Sequence, residues 1–286
     1  MTAPDPAPVL APAKLNLCLY LGQRREDGLH DLCSLFEPLS LGDLIRAEPG
    51  DRDEVVCPKV TGDNIAAAAL AALRERGWRV PPQRIAIEKR IPIAAGLGGG
   101  SADAAAVLRM AAGGIDGLDE LARGLGADVP SQLEPRFALV RGAGELVEPL
   151  PAPGPHAVVL IPDEGLETAQ VYAEADRLGL GRAAAELEAA AERVREAARP
   201  GVSPLDYASL LANDLEPATL SLMPRAAEPL QALRDAGAAV ATVAGSGPTA
   251  FGLFADTEAA QEACGRLGRD EAIVATPWRG EALVAG

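Results

Sequence analysis

Aromatic side chains make up only 3% of this 286-residue chain, and histidine occurs twice, at His30 and His156. Two histidines cannot build a multi-histidine metal centre. The four cysteines, Cys18, Cys33, Cys57 and Cys264, are scattered, with no Cys-x-x-Cys pair. That pattern gives neither a thiolate metal cage nor a disulfide framework and reads as reduced packing thiols. No apolar run reaches the roughly 18–20 residues of a membrane span. The start, MTAPDPAPVLAP, lacks the basic region and apolar core of a secretory signal. Both absences point to a cytoplasmic protein. Positive charge is scarce too: the formal net charge is −15, and the three lysines are Lys14, Lys59 and Lys89. This balance argues against nucleic acid or an anionic membrane as partner, and any anionic small molecule must be held by local cations.

What is present is a globular composition, 48% hydrophobic and 23% charged, sufficient for one large domain or two modest ones. Residues 13–22 (AKLNLCLYLG) alternate strictly, so a half-buried strand is expected, with Leu15, Leu17, Leu19 and Leu21 on one face and Lys14, Asn16, Cys18 and Tyr20 on the other. A strand near 44–47, an alanine-rich helix over 64–76 and a strand over 84–89 follow. A second alanine-rich helix starts at Ser101, a short one covers 119–124, and a strand covers 137–141. The run PLPAPGP (149–155) cannot serve ladders or helix interiors and marks a domain boundary, dividing the chain into 1–150 and 151–286. Beyond it come a strand over 157–161, a charged helix over 181–199, strands at 239–244 and 250–254, a helix at 257–267 and a strand at 272–275. Strands and helices mix without regular βαβ alternation, which favours α+β over a doubly wound sheet.

The densest chemical signal is IPIAAGLGGGSADAAA (91–106). Gly96, Gly98, Gly99 and Gly100 lead into a helix with Ser101 at its start. Glycines allow positive φ and let successive N–H groups converge, and a helix start adds unpaired donors and the positive end of the macrodipole. The result is an anion cradle of phosphate size. A plain structural loop with Ser101 as N-cap is the simpler alternative. A Walker A loop fails for want of Gly-Lys-Ser/Thr. A dinucleotide fingerprint matches at Gly96-Leu97-Gly98, with Asp116 or Asp119 as the later acid, but Pro92 and the absence of a βαβ unit speak against it.

Residues 92–105 (PIAAGLGGGSADAA) resemble the phosphate loop of the GHMP kinases, as PAKLNL (12–17) resembles their N-terminal motif and AGSGPT (244–249) their C-terminal glycine motif. With DGLH (27–30), GADVP (126–130) and NDLE (213–216), the set resembles the branch that phosphorylates a cytidine-diphosphate-linked methylerythritol. The resemblance implies a two-domain α+β fold, with an N-terminal domain like part of ribosomal protein S5 and a ferredoxin-like C-terminal domain. It implies ATP and Mg²⁺ as cofactors, transfer of the γ-phosphoryl group to a hydroxyl of the erythritol portion, and a monomer or homodimer. Another small alcohol such as homoserine, or a nucleotide-binding regulator without catalysis, are the alternatives.

On the same resemblance Asp128 is the base and Lys14 its companion facing the incoming phosphoryl oxygens. Pro92, Ile93, Ala94, Ala95, Gly96, Leu97, Gly98, Gly99, Gly100, Ser101 and Ala102 hold the nucleotide with Asn64 and Lys89. Ser101 touches phosphate or Mg²⁺, with Asp103 assisting through water. Asn16 and His30 bind the substrate, His30 at the cytosine, and Gly245, Ser246 and Gly247 close the site from the second domain. Each has a plainer reading. Asp128 could start a helix ahead of Pro130, Asp103 could complement a helix dipole, and the glycines at 245 and 247 could simply turn between strands. Lys14, Asn16, His30, Asn64 and Lys89 could be surface groups. The chain departs from the family in having Leu29 where tyrosine is usual, with Tyr172 a candidate replacement, and in Ser131-Gln132 after GADVP.

Overall fold

The computed structural model describes residues 8–60 and 62–280; the first seven residues of the proline-rich start lie outside the described residues. Strand β1 (Val9–Arg24) and strand β2 (His30–Pro49) form a long antiparallel hairpin. Strand β3 (Glu54–Val56), β4 (Gln83–Glu88), β5 (Ala138–Gly142) and β6 (Leu146–Pro149) complete a six-stranded sheet, β3 running parallel to β4. The strand expected near 44–47 is the tail of the 20-residue β2. Pro38 and Gly42 look like breakers in the sequence. Here Pro38 sits beside a register shift and its carbonyl accepts from Trp278 N at 2.7 Å, while Gly42 lies so close to β1 that a Cβ would come within 2.8 Å of the Ala11 carbonyl.

β1 is not half-buried. Its middle is buried on both faces, and its pairing shifts between Asn16 and Cys18. The unpaired Leu17 exchanges the faces. Leu15 and Leu17 pack in one core with Cys18 and Tyr20, whereas Leu19 and Leu21 pack in another with Val171 and Leu215. Lys14 and Asn16 therefore share their side of the strand with Leu19 and Leu21, against the simple alternation.

Helix α1 (Ile65–Glu75) is capped by Asn64, whose Oδ1 accepts from Ala66 N at 2.9 Å. Helix α2 (Gly99–Arg109) starts two residues before the position expected from Ser101, with Gly98 as N-cap in the left-handed region. Ser101 is thus the third residue of the helix, and no side chain caps it. Ala102, Ala104, Ala105 and Ala106 are almost wholly buried, and their small size lets α2 lie in a core with Ile45, Leu70, Leu73 and Ile85. Helices α3 (Leu118–Leu125) and α4 (Val129–Leu133) follow.

The second sheet holds β7 (Ala157–Ile161), β8 (Val240–Val243), β9 (Ala250–Phe254) and β10 (Ile273–Ala275) in the order β10-β7-β9-β8, every pair antiparallel. That is the ferredoxin-like order. Between β7 and β8 run α5 (Thr168–Leu178), α6 (Ala184–Ala197), a 3₁₀ segment (Pro204–Leu210), α7 (Glu216–Leu222) and α8 (Ala227–Asp235); α9 (Thr257–Leu267) precedes β10. Leu230, Leu233, Ala260 and Ala263 cover one face of the sheet. The other face joins the first half, where Leu15, Leu35, Leu139, Val158, Val194 and Phe251 share one core.

Candidate active site

Four segments meet around a cavity of about 670 Å³: β1 at Lys14 and Asn16, the glycine loop into α2, the start of α4 at Asp128, and the loop between β8 and β9. Two glycines of the first loop have distinct steric reasons. Gly96, at φ 75°, lies so near the second loop that a Cβ would stand 2.2 Å from the Ala244 carbonyl. Gly98, at φ 67°, is packed on the Lys14 stem, 2.7 Å from where its Cβ would fall. Ala94 also adopts positive φ, 54°, an uncommon conformation for a residue with a side chain and one that concentrates at functional loops. The first N–H groups of α2 have no intrahelical acceptors and open toward the cavity wall that Gly99, Gly100 and Ser101 form.

Across from the loop, Lys14 Nζ lies 3.2 Å from Asp128 Oδ2. It donates to Asn16 Oδ1 at 2.7 Å, Asn16 Nδ2 donates to Ser34 Oγ at 2.7 Å, and that hydroxyl donates to the Cys18 carbonyl at 2.5 Å. The ammonium also stands 4.9 Å from the Phe36 ring centroid. This chain fixes a nearly buried amine at one point. Asp128 begins α4 but its carboxylate caps nothing, so it is left to face Lys14. Ser131, one of the departures from the family pattern, anchors the turn by donating from Oγ to the Asp128 carbonyl at 2.8 Å. Gln132 is its buried neighbour, whose carbonyl accepts from Arg109 Nη1 at 2.5 Å.

Beneath the loop lies a second charged cluster. Lys89 Nζ donates to Asp43 Oδ2 and, at 2.8 Å, to Asp103 Oδ2. Asp43 Oδ1 accepts from the backbone of Arg90 and Ile91. Burial alone would depress the Lys89 ammonium, but the two carboxylates outweigh it and hold it above its usual range. Burial pushes the Asp103 carboxyl from 3.8 up to about 7, with Lys89 pulling against the shift and Asp43 adding to it. Between those values the folded chain keeps a proton that the unfolded chain has released. Raising the pH through the window therefore draws the equilibrium toward the unfolded state, so the contribution of Asp103 to stability falls. Denaturation midpoints measured across it should decline for the wild type and flatten in Asp103→Asn; an identical slope in both proteins would refute the assignment.

Of the residues expected from the sequence, Lys14, Asn16, Asn64, Lys89, 92–101, Asp128, Gly245, Ser246 and Gly247 line the cavity together. Ala102 does not; it is fully buried and its N–H donates to the Gly98 carbonyl at 2.9 Å. His30 is not in the wall either. It lies behind Tyr172, which is, with ring centroids 5.2 Å apart. Burial, reinforced by the nearby Asp128 charge, pushes the Tyr172 phenol up to about 12. Lys89 lines the wall but its ammonium is committed to the two carboxylates. Leu166, Glu167 and Thr168 were missed because α5 carries no strong apolar stripe; Thr168 Oγ1 meets Ser246 Oγ at 3.0 Å. Val60 and Ile65 beside Ile93 were missed as well. Asn213 of the NDLE motif shapes the second loop, donating from Nδ2 to the carbonyls of Val243 and Gly245 at 2.8 and 2.7 Å.

Two family models match the chain, GHMP kinases N terminal domain over residues 64–130 and GHMP kinases C terminal over residues 187–272; fold and site are those of a GHMP kinase. A 4-diphosphocytidyl-2-C-methyl-D-erythritol kinase of Pelotomaculum thermopropionicum is 38% identical over 281 residues, 93% of this chain and 96% of that protein. One of Paracoccus denitrificans is 40% identical over 90% of each chain. A crystal structure of 4-(cytidine 5'-diphospho)-2C-methyl-D-erythritol kinase, 36% identical, superposes with a TM-score of 0.76 over 96% of this chain and all of the other. The chain belongs to the family of 4-diphosphocytidyl-2-C-methyl-D-erythritol kinases. A homoserine kinase from Cytophaga hutchinsonii, 20% identical with a TM-score of 0.70, shares the fold.

Proposed function

We propose that the chain transfers the γ-phosphoryl group of ATP to a hydroxyl of 4-diphosphocytidyl-2-C-methyl-D-erythritol, giving the 2-phosphate and ADP. The observation that carries this reading is the Lys14–Asp128 pair, 3.2 Å apart, in one cavity with the glycine loop. The backbone amides at the start of α2 hold the polyphosphate, and the exposed apolar flank of Ile65 and Ile93 receives the adenine. Asp128 accepts the proton of the attacking hydroxyl while Lys14 neutralises charge on the transferred group. Asn16 and the second loop, with Ser246 held by Thr168, position the acceptor. Tyr172 supplies the aromatic surface that Leu29 cannot, over His30 at the cytosine end.

Mg²⁺ fits this wall through the Ser101 hydroxyl. Among the described residues no three His, Cys, Asp or Glu side chains gather to cage an ion, which suits a cation held mainly by phosphate oxygens. When bound it neutralises phosphate charge. The same reading treats 1–150 and 151–286 as the two domains, supported by the two sheets falling on either side of 149–155. Among the described residues no helix is long and apolar enough to cross a membrane.

Purified protein with ATP should phosphorylate the cytidine substrate and leave homoserine untouched, read by ADP release and by phosphorus NMR of the product. Turnover of homoserine with none of the cytidine compound would refute the proposal.

A further inference from the structure

The side of α5 that meets β2 carries two groups four residues apart, Tyr172 and Asp176, and both touch His30. The helix is held there by Val171 and Ala175, which pack on Leu19 and Leu21 of β1. Asp176 Oδ1 lies 2.8 Å from His30 Nε2, with the imidazole 5% exposed and the carboxylate 37%. Tyr172 covers the ring at 5.2 Å between centroids, tilted by 47°.

A carboxylate oxygen can only accept at this distance, so Nε2 must carry the hydrogen. In the neutral ring the remaining nitrogen, Nδ1, then presents a lone pair. We propose that Asp176 is a specificity-determining positioning residue, which holds His30 as the Nε2–H tautomer so that Nδ1 accepts from the exocyclic amine of a cytosine. This rests on the reading that the substrate is a cytidine diphosphate derivative with its base at His30.

An acceptor at that position meets the N4 amine of cytosine as a donor. It meets the O4 of uracil as a second acceptor, leaving two lone pairs opposed in a buried setting. The same ring in its other tautomer, with Nδ1–H, would favour the carbonyl. Asp176 thereby sets the sign of the discrimination without touching the substrate. Selectivity of this kind is built on groups left unpaired by the wrong ligand.

Two measurements test this. With only two histidines in the chain, a long-range ¹H–¹⁵N correlation of labelled protein resolves both imidazoles, and His30 is expected to show protonated Nε2 and bare Nδ1. In Asp176→Ala that pattern should relax toward a mixture. KM for the cytidine substrate should rise about tenfold with KM for ATP moving far less, and the cytidine-over-uridine preference in kcat/KM should shrink by about 10-fold or more. Asp176→Asn, whose amide oxygen can still accept from Nε2–H, should retain the tautomer and most of the preference. A protonated Nδ1 in the wild type, or an unchanged cytidine-to-uridine ratio in Asp176→Ala, would overturn the proposal. Wild-type protein inactive on the cytidine substrate would instead refute the proposed function, and the ¹⁵N pattern would still decide the tautomer.

Discussion

Asp128→Asn is expected to lower kcat by about 10³-fold while leaving the affinity for ATP within about twofold of wild type. The amide is nearly isosteric, and the wild-type carboxylate caps nothing in α4, so the helix has no reason to move. What disappears is a proton acceptor and the partner of a nearly buried ammonium, 3.2 Å away. Lys14 keeps its bond to Asn16 and remains available to the phosphates, which is why nucleotide binding should survive. Steady-state kinetics with a titration of a non-hydrolysable ATP analogue separates the two effects. If the variant ran within tenfold of wild type, Asp128 would be an electrostatic bystander and the hydroxyl would lose its proton elsewhere.

Gly96→Ala should be nearly as damaging by a different route. A methyl group at 96 meets the Ala244 carbonyl at 2.2 Å and the Gly247 carbonyl at 3.2 Å, at φ 75°. Neither backbone atom can swing aside as a side chain would, and the left-handed conformation adds its own strain. The variant should lose at least ~2 kcal/mol of stability and most of its ATP affinity, because relief requires the phosphate loop to withdraw. Gly124→Ala is the matched control. It sits within α3 with no atom within 4 Å of its built Cβ, so it should gain roughly 0.5–1 kcal/mol. Thermal melts with and without ATP read both. Equal Tm values for Gly96→Ala and wild type would show that the two loops part without cost.

The chemistry was more legible in the sequence than the scaffold around it. The glycine loop, Lys14, Asn16 and Asp128 are written in short local patterns, and the structure brings them to one cavity. β2 was legible only at its tail because Pro38 and Gly42 imitate breaks, while long-range pairing absorbs both at a register shift and a close approach. The helix carrying Tyr172 and Asp176 escaped notice since only Val171 and Ala175 of its residues are buried, too few to print a helical period. Lys89 was legible as a cation near the loop, but not as one already committed to two carboxylates, since Asp43 lies far away in the chain. The bulge in β1 left no trace at all, because the alternation of its leucines continues through it unbroken.

That bulge makes β1 sensitive to length rather than to letter. Removing Leu17 would change no charge and cost one apolar side chain. It would nevertheless restore an even count between Asn16 and the residues beyond, turning Leu19 and Leu21 away from α5 and sending Cys18 and Tyr20 into their place. Conservative substitution at Leu17 should therefore be tolerated where its deletion is not: the strand behaves like a spatial reading frame, and its extra residue is the phase shift that keeps both halves of the message in register.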